Sequence, residues 1–243
     1  MHQAFRDWTI NSASGLELTN RELAFFDDSM RYLYAHDAVQ LDMPIWNILD
    51  KMPLKRSMIV GSEGCDVICD MCYLPFASDS MDLVCMPHTL EFGDHPRHIL
   101  REVHRIIRPE GRLIFTTFNP YSAWFFSSLW GKVLPPRRQC IRLNRLKEWL
   151  ELLGFEITAG KLMIYTPALR RQNWLNKMQI FHAVGDRWFP QTAVVYGLSA
   201  IKRVHLLRPN PSWKIVPEYA TAPTFASAIY LQKIVCRNEL VLK

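Results

Sequence analysis

Val67-Ile68-Cys69, Asp82-Leu83-Val84-Cys85-Met86 and Leu113-Ile114-Phe115-Thr116-Thr117 are three short, mainly apolar runs, and the chain from Asp66 to Pro120 that contains them decides the fold. Each has the length of a strand. The last is rich in apolar and β-branched residues, as a strand buried on both faces requires. Pro96 then stands where a helix can begin, and Ile99, Leu100, Val103, Ile106 and Ile107 recur at the spacing of one buried helical face. Pro109-Glu110-Gly111 reads as a turn between that helix and the third run. Strand, helix and strand in alternation predict a mostly parallel sheet with helices on both faces.

Working outward, Ala38 to Leu41 and Met58 to Val60 read as two earlier strands, and Phe155 to Ile157 and Val194 to Ile201 as two later ones. Thr19-Asn20-Arg21-Glu22 has the pattern of a capping box and predicts a helix from there to Tyr34. Pro44 predicts a helix reaching Lys51. Asn144 is placed to cap a helix with Leu146, Trp149, Leu150 and Leu153, and Gly154 to end it. Only Gly61 to Cys65 separate Val60 from Asp66, too few for an ordinary parallel crossover. Either a hairpin joins those two strands or one of them is not a strand. Beyond Val204 the prolines at 209, 211, 217 and 223 mark an irregular arm, with a last helix expected within 224–238. The expected division is a domain over 1–204, whose first 37 residues form a helical lead-in, and an arm over 205–243.

The 243 residues carry a net charge of +6, with 49% hydrophobic and 21% charged residues, which excludes wholesale disorder. No apolar run is long enough to span a bilayer, and Met1 to Asp7 lacks the form of a signal peptide, so a cytoplasmic protein is expected. Basic residues crowd between Lys132 and Lys147, more simply a solvated rim than a nucleic-acid site, so nucleic acid is not indicated. Six cysteines without an export signal are expected as free thiols. Cys65, Cys69 and Cys72 have the spacing that binds a four-iron cluster, but the residues around them read as strand and turn, and no metal is expected.

The stretch Asp70 to Val84, with Leu74-Pro75-Phe76 leading into Asp82-Leu83-Val84, resembles the region between strands three and four of the class I S-adenosylmethionine (SAM)-dependent methyltransferases, type 11-like. Leu100 to Leu113 is similar to that family's next helix, its proline-glycine turn and its fifth strand. Pro87-His88-Thr89-Leu90-Glu91-Phe92 and Phe118-Asn119-Pro120 resemble a bacterial subgroup of the family. The resemblance implies a Rossmann-like α/β fold that binds SAM across the carboxyl ends of the strands. It implies that Asp70 accepts from the adenine amino group, that the Met71 N–H meets a ring nitrogen, and that Glu63 holds the ribose. Asp42 would reach the methionine amino group. His88, Glu91, Asn119 and Tyr121 fall on the substrate side. The family's glycine-rich loop after strand one is replaced by Leu41-Asp42-Met43-Pro44-Ile45-Trp46, a degenerate form without glycine.

Two functions therefore stand at this point. One is a SAM-dependent methyltransferase with an unidentified, hydrophobic acceptor. The other is a non-catalytic methyltransferase-like scaffold that has lost SAM binding. Tyr121, Trp124, Phe125, Phe126, Leu129 and Trp130, followed by Arg137 and Arg138, read as core packing or as an apolar lid, and 121–138 as a peripheral lipid contact.

Overall fold

The third run, Leu113 to Thr117, lies in the middle of the molecule's sheet. The computed structural model describes residues 3–122, 139–164 and 193–204. By its internal contacts the chain divides into Met1–Val204 and His205–Lys243. The aromatic segment from 123 onward and the arm with its expected helix lie outside the described residues.

Seven strands form one sheet. They are β1 (Asp37–Leu41), β2 (Arg56–Gly61), β3 (Val67–Ile68), β4 (Met81–Pro87), β5 (Ile107–Phe118), β6 (Phe155–Met163) and β7 (Val195–Lys202). Their order is β3-β2-β1-β4-β5-β7-β6. All neighbours pair in parallel except β7, which runs antiparallel to both β5 and β6. The helices are α1 (Gln3–Asn11), α2 (Ala13–Met30), the single turn α3 (Thr89–Phe92), α4 (Pro96–Ile106) and α5 (Leu143–Leu152). One face of the sheet packs on Phe5, Leu18, Phe25, Phe26, Trp46 and Leu49, the other on the apolar faces of α4 and α5. The parallel, doubly covered α/β sheet expected from the sequence is the one observed.

Four local expectations differ. The helix expected from Thr19 begins at Ala13, because Ser12 is the N-cap, its Oγ accepting from the Gly15 N–H at 2.9 Å. Thr19 and Glu22 are thus interior residues, and Glu22 faces the core with Leu18, Phe25 and Phe26. Pro44 starts only a 3-10 turn, Pro44–Trp46, flanked by left-handed Met43 and Asn47 that stop it from extending. Pro109-Glu110-Gly111 does not separate α4 from a later strand. It is an irregularity inside β5, with Glu110 at φ 65°, around which the β4 register slips between Met81 and Leu83. Asn144 is not the cap of α5. Arg142 holds that position with no side-chain cap, and left-handed Gly154 follows the helix end.

The short connection after β2 is resolved in neither of the two ways expected. β3 pairs with β2 in parallel over two residues, Val60 with Val67 and Gly61 with Ile68. The crossover is possible because β3 is so short and because Asp66 Oδ2 accepts from the Ile59 N–H at 2.8 Å, tying the returning loop to β2. Among the described residues, no helix connects β2 to β3. α2 instead sits close over the opposite half, where Gly197 of β7 leaves room for the Phe25 ring: a Cβ there would lie 2.4 Å from it.

Asp82 is structural. Its Oδ2 accepts from the N–H groups of His36 and Asp37, and its Oδ1 from Arg108 at 2.5 Å, pinning the start of β1 beside β4. Lys202 ties the far end. Its ammonium donates to Asp79 Oδ1, His104 O and Ile107 O at 2.7, 2.9 and 2.7 Å.

Candidate active site

Strand order reverses between β1 and β4, and in open α/β sheets a ligand crevice lies at the carboxyl ends of the strands at such a point. The residues named from sequence follow those ends. Asp42 follows β1, Glu63 follows β2, Asp70 and Met71 follow β3, His88 and Glu91 follow β4, and Asn119 and Tyr121 follow β5.

The loop after β1 has kept a glycine-like path without glycines. Asp42 and Met43 are both left-handed, at φ 63° and 51°. Such conformations cost non-glycine residues on the order of 1–2 kcal/mol each. Gln40 holds them there: buried in β1, its Nε2 donates to Asp42 O and Met43 O at 3.0 and 2.7 Å, and its Oε1 accepts from the Ile48 N–H. Asp42 is 4% exposed, and its Oδ1 has no hydrogen-bond partner. Burial raises its carboxyl above the ordinary range, partly offset by the Ser62 N–H and by Arg6. Gly61 allows this packing, because a Cβ there would lie 2.8 Å from Asp42 Oδ1 and 2.5 Å from Cys65 Sγ.

Arg6 was not legible in the sequence. It lies on α1, is 8% exposed, donates from Nη2 to Glu63 O at 2.7 Å and approaches the Glu63 carboxylate to 3.7 Å. Its Nε is buried without a partner. Asp70 is exposed and its Oδ1 accepts from the Cys72 N–H at 2.8 Å, a local turn that fixes the side chain at the end of β3. Met71 beside it is half-buried. The thiols of Cys65, Cys69 and Cys72 are pushed up by burial and by nearby Asp42 and Asp70, which keeps them protonated. Among the described residues no three His, Cys, Asp or Glu converge to hold a metal.

On the other side of the switch point, His88 and Glu91 are not open to solvent: both are 0% exposed. His88 is left-handed at φ 53°, and its ring bridges two carboxyl groups. Nδ1 lies 3.0 Å from Glu91 Oε1 and Nε2 lies 2.8 Å from Glu22 Oε1. Glu22 Oε2 also accepts from Thr116 Oγ1, and Glu91 Oε1 from the Phe118 N–H, both at 2.5 Å. Phe118 stacks on the imidazole at 4.3 Å, and Phe5 and Trp46 meet it edge-on. Burial opposes a charge on this ring, but the charges and hydrogen bonds of Glu22 and Glu91 outweigh it, so that His88 is pushed up to about 10. It is an imidazolium at neutral pH and joins α2, β4 and β5. Neither ring nitrogen is left for a substrate.

Asn119 and Tyr121 lie elsewhere, on a cleft of ≈ 1380 Å3 with Cys140, Arg142, Trp149 and Tyr196. Asn119 shapes the loop: its Nδ2 donates to Ala193 O and its Oδ1 accepts from the Tyr121 N–H. The Arg142 guanidinium lies over the Tyr121 ring at 5.1 Å. Tyr196 donates to Ile141 O at 2.5 Å. Burial raises both the Tyr196 phenol and the Cys140 thiol, and the charge of Glu91 raises both further. Glu91 Oε2 itself is buried without a partner.

Residues 54–115, from just before β2 into β5, match the methyltransferase domain family. The chain is 35% identical over 103 residues to the uncharacterized protein YafS of Escherichia coli K12, covering 40% of this chain and 43% of that one. It is 29% identical over 93 residues to a malonyl-[acyl-carrier protein] O-methyltransferase of Paenibacillus, covering 36% and 33%. Solved SAM-dependent methyltransferases from Thermotoga maritima and Archaeoglobus fulgidus share its fold. Each has a TM-score of 0.54, at 16% and 14% identity, covering 84% and 76% of this chain and 100% and 94% of theirs. These likenesses support a class I methyltransferase fold for the chain. SAM is the cofactor this family implies. The chain spans less than half the length of the curated relatives it matches. Among the described residues, no helix is long and apolar enough to cross a membrane.

The residues present fit SAM at the methionine end, where a buried, unpartnered carboxylate oxygen follows β1. Two more carboxyl groups, Glu63 and Asp70, follow the ends of β2 and β3.

Proposed function

We propose that the protein transfers a methyl group from SAM to an acceptor bound in the cleft beside Asn119 and Tyr121. The observation that carries this reading is the left-handed Asp42–Met43 turn at the switch point, with Asp42 Oδ1 buried and unpartnered. A buried acceptor without a donor costs about 1–3 kcal/mol, and it is retained where a ligand supplies the donor. In this reading Asp42 meets the methionine ammonium, Glu63 the ribose hydroxyls, and Asp70 and the Met71 N–H the adenine. Bound SAM supplies an electrophilic methyl group.

The chain's own part is alignment of the acceptor and removal of its proton. Asn119 holds the β5 loop in shape, and Tyr121 under Arg142 forms a wall against which an apolar acceptor lies. In this reading Glu91, buried with Oε2 unpartnered, is the carboxyl group that takes the proton when the acceptor reaches it. His88 acts through Glu91 and is a positioning residue. The acceptor we favour is hydrophobic with a polar reacting end, which suits aromatic walls next to Arg142 and Arg145. A lipid contact through 121–138 and a cytoplasmic location are part of the same proposal.

The second reading is a scaffold that no longer binds SAM. The absence of glycine between Leu41 and Trp46, together with the buried Met43 and Trp46 side chains, favours it. Calorimetry with SAM and S-adenosylhomocysteine separates the two. Micromolar binding, weakened by Asp42→Asn and Asp70→Ala, is expected. No heat at millimolar cofactor would leave the scaffold.

A further inference from the structure

Three arginines converge on the cleft beside Asn119 and Tyr121. Arg142 and Arg145 line it from the start of α5, and Arg97 comes to it from α4 by way of Trp149, another lining residue. The Arg97 guanidinium lies over the Trp149 ring at 4.6 Å and that of Arg145 over the same ring at 5.3 Å. These two like charges therefore stand within about 10 Å of each other, where salt screens their repulsion only in part. Arg142 lies over Tyr121 in the same way.

Most other arginines among the described residues hold a carboxylate, Arg56 on Asp37 and Arg108 on Asp82 among them. The three at the cleft pair with none of the described residues' carboxylates, although Asp94 and Glu148 share the lining. A guanidinium laid on a ring gives its face to the π-cloud and keeps its in-plane N–H donors. Stacking thus holds the three groups in place while their hydrogen-bonding edges stay open. The start of α5 adds to this, with no side-chain cap and no acid in its first turn. Beside the arginines the lining is apolar and aromatic, with Tyr121, Ile141, Leu143, Leu162 and Tyr196. At ≈ 1380 Å3 the cleft is far larger than a bare anion needs.

Resting on the acceptor cleft described above, we propose that Arg97, Arg142 and Arg145 bind a phosphate group carried on an apolar chain, so that the acceptor is a phosphorylated amphiphile. The chain lies against the aromatic wall and the phosphate takes the open guanidinium edges. A phosphate monoester brings close to two negative charges and three acceptor oxygens, which suits three convergent guanidiniums better than a single carboxylate does. The rim thus selects the far end of the substrate and leaves its reacting end to the β5 loop.

The test uses decyl phosphate as probe, below its micelle-forming concentration, in calorimetry without cofactor. Decyl phosphate is expected to bind more tightly than decanoate, and 1-decanol, decyltrimethylammonium and inorganic phosphate to bind at least tenfold more weakly. Arg97→Gln, Arg142→Gln and Arg145→Gln are each expected to weaken decyl phosphate about three- to tenfold, the scale of one exposed charge-assisted contact. Arg101→Gln is the control. Arg101 lies one turn along α4 from Arg97, exposed and without an ion pair but off the cleft, and its loss is expected to change nothing. Equal binding of decyl phosphate and decyltrimethylammonium, or equal losses in Arg101→Gln and Arg145→Gln, would overturn the site. So would inorganic phosphate bound as well as decyl phosphate, or binding confined to anionic phosphatidylglycerol vesicles, which would mean a membrane surface instead. The comparison of probes on the wild type stands even if a variant does not fold. Since no cofactor is present, failure here overturns the rim and leaves methyl transfer to the calorimetry with SAM. Decyl phosphate bound by a chain that binds no SAM would keep the anion site and overturn methyl transfer.

Discussion

Replacing Glu22 by Gln tests the buried charge bridge at its most informative atom. Gln keeps the size of the side chain, an acceptor for the His88 Nε2–H and a partner for Thr116 Oγ1, but deletes one of the two negative charges that hold the imidazolium. The folded His88 lies at about 10 against an ordinary 6.5. At ~1.4 kcal/mol per pKa unit, that difference amounts to about 5 kcal/mol of pH-dependent stability, the size expected when a partner is stripped from a buried ion pair. The folded pKa is the higher one, so the contribution is present in full below about 6.5 and is lost as pH rises through about 10. Glu22→Gln is expected to cost about 2–3 kcal/mol at neutral pH, half of the whole if the two carboxyl groups share it equally, and to flatten the decline toward alkaline pH. Guanidinium unfolding of both proteins at a series of pH values across that window measures this directly. Equal slopes for wild type and variant, or an imidazole resonance that titrates near 6.5 in the folded protein, would refute the argument.

Three further outcomes follow from local geometry. Gly61→Ala places a methyl against Asp42 Oδ1 and Cys65 Sγ, and is expected to weaken SAM binding in calorimetry by tenfold or more while lowering the melting temperature, since both neighbours must shift. Lys202→Met removes three hydrogen bonds at a position 7% exposed and is expected to cost about 2–4 kcal/mol in denaturant unfolding, through the unmet carbonyls of His104 and Ile107. Tyr196→Phe loses the bond to Ile141 O and is expected to cost about 1–2 kcal/mol, with a calorimetric SAM affinity unchanged because β4 and β5 separate β7 from the proposed SAM site at the end of β1.

What the sequence made legible is what local pattern controls. β4, α4 and β7 announce themselves through apolar runs and a helical stripe, and each is found within a residue or two of its expected place, whereas β5 begins six residues before the run that announced it. Asp42, Glu63, Asp70 and Met71 could be placed at strand ends for the same reason, since position in an α/β sheet follows from element order. The misplacements arise where partners are distant. Glu22 looked like a capping acid because Glu three residues after Thr19 has that form, whereas its environment is set by His88 and Thr116, 66 and 94 residues away. The stripe Leu18, Glu22, Phe25, Phe26 was the available sign of an inward-facing acid. Arg6 carried no sign at all, because its burial depends on how α1 lies over the β2 loop. His88 and Glu91 were rightly grouped with each other, but nothing local tells that a third residue closes the bridge and shuts them from solvent.

The two-residue β3 has a consequence for how the protein behaves in company. A sheet of this kind has two borders, and an unpaired row of backbone N–H and C=O groups at a border is a template for another chain. At one border β3 offers only Val67 and Ile68, set between Asp66 and Asp70, too short and too closely flanked by carboxylates to recruit a foreign strand. At the other, β6 is nine residues long, but its register slips between Ile157 and Ala159 and it carries Glu156 and Lys161. The short connection after β2 therefore shortens that border of the sheet as well as its cover, and the chain gains resistance to self-association.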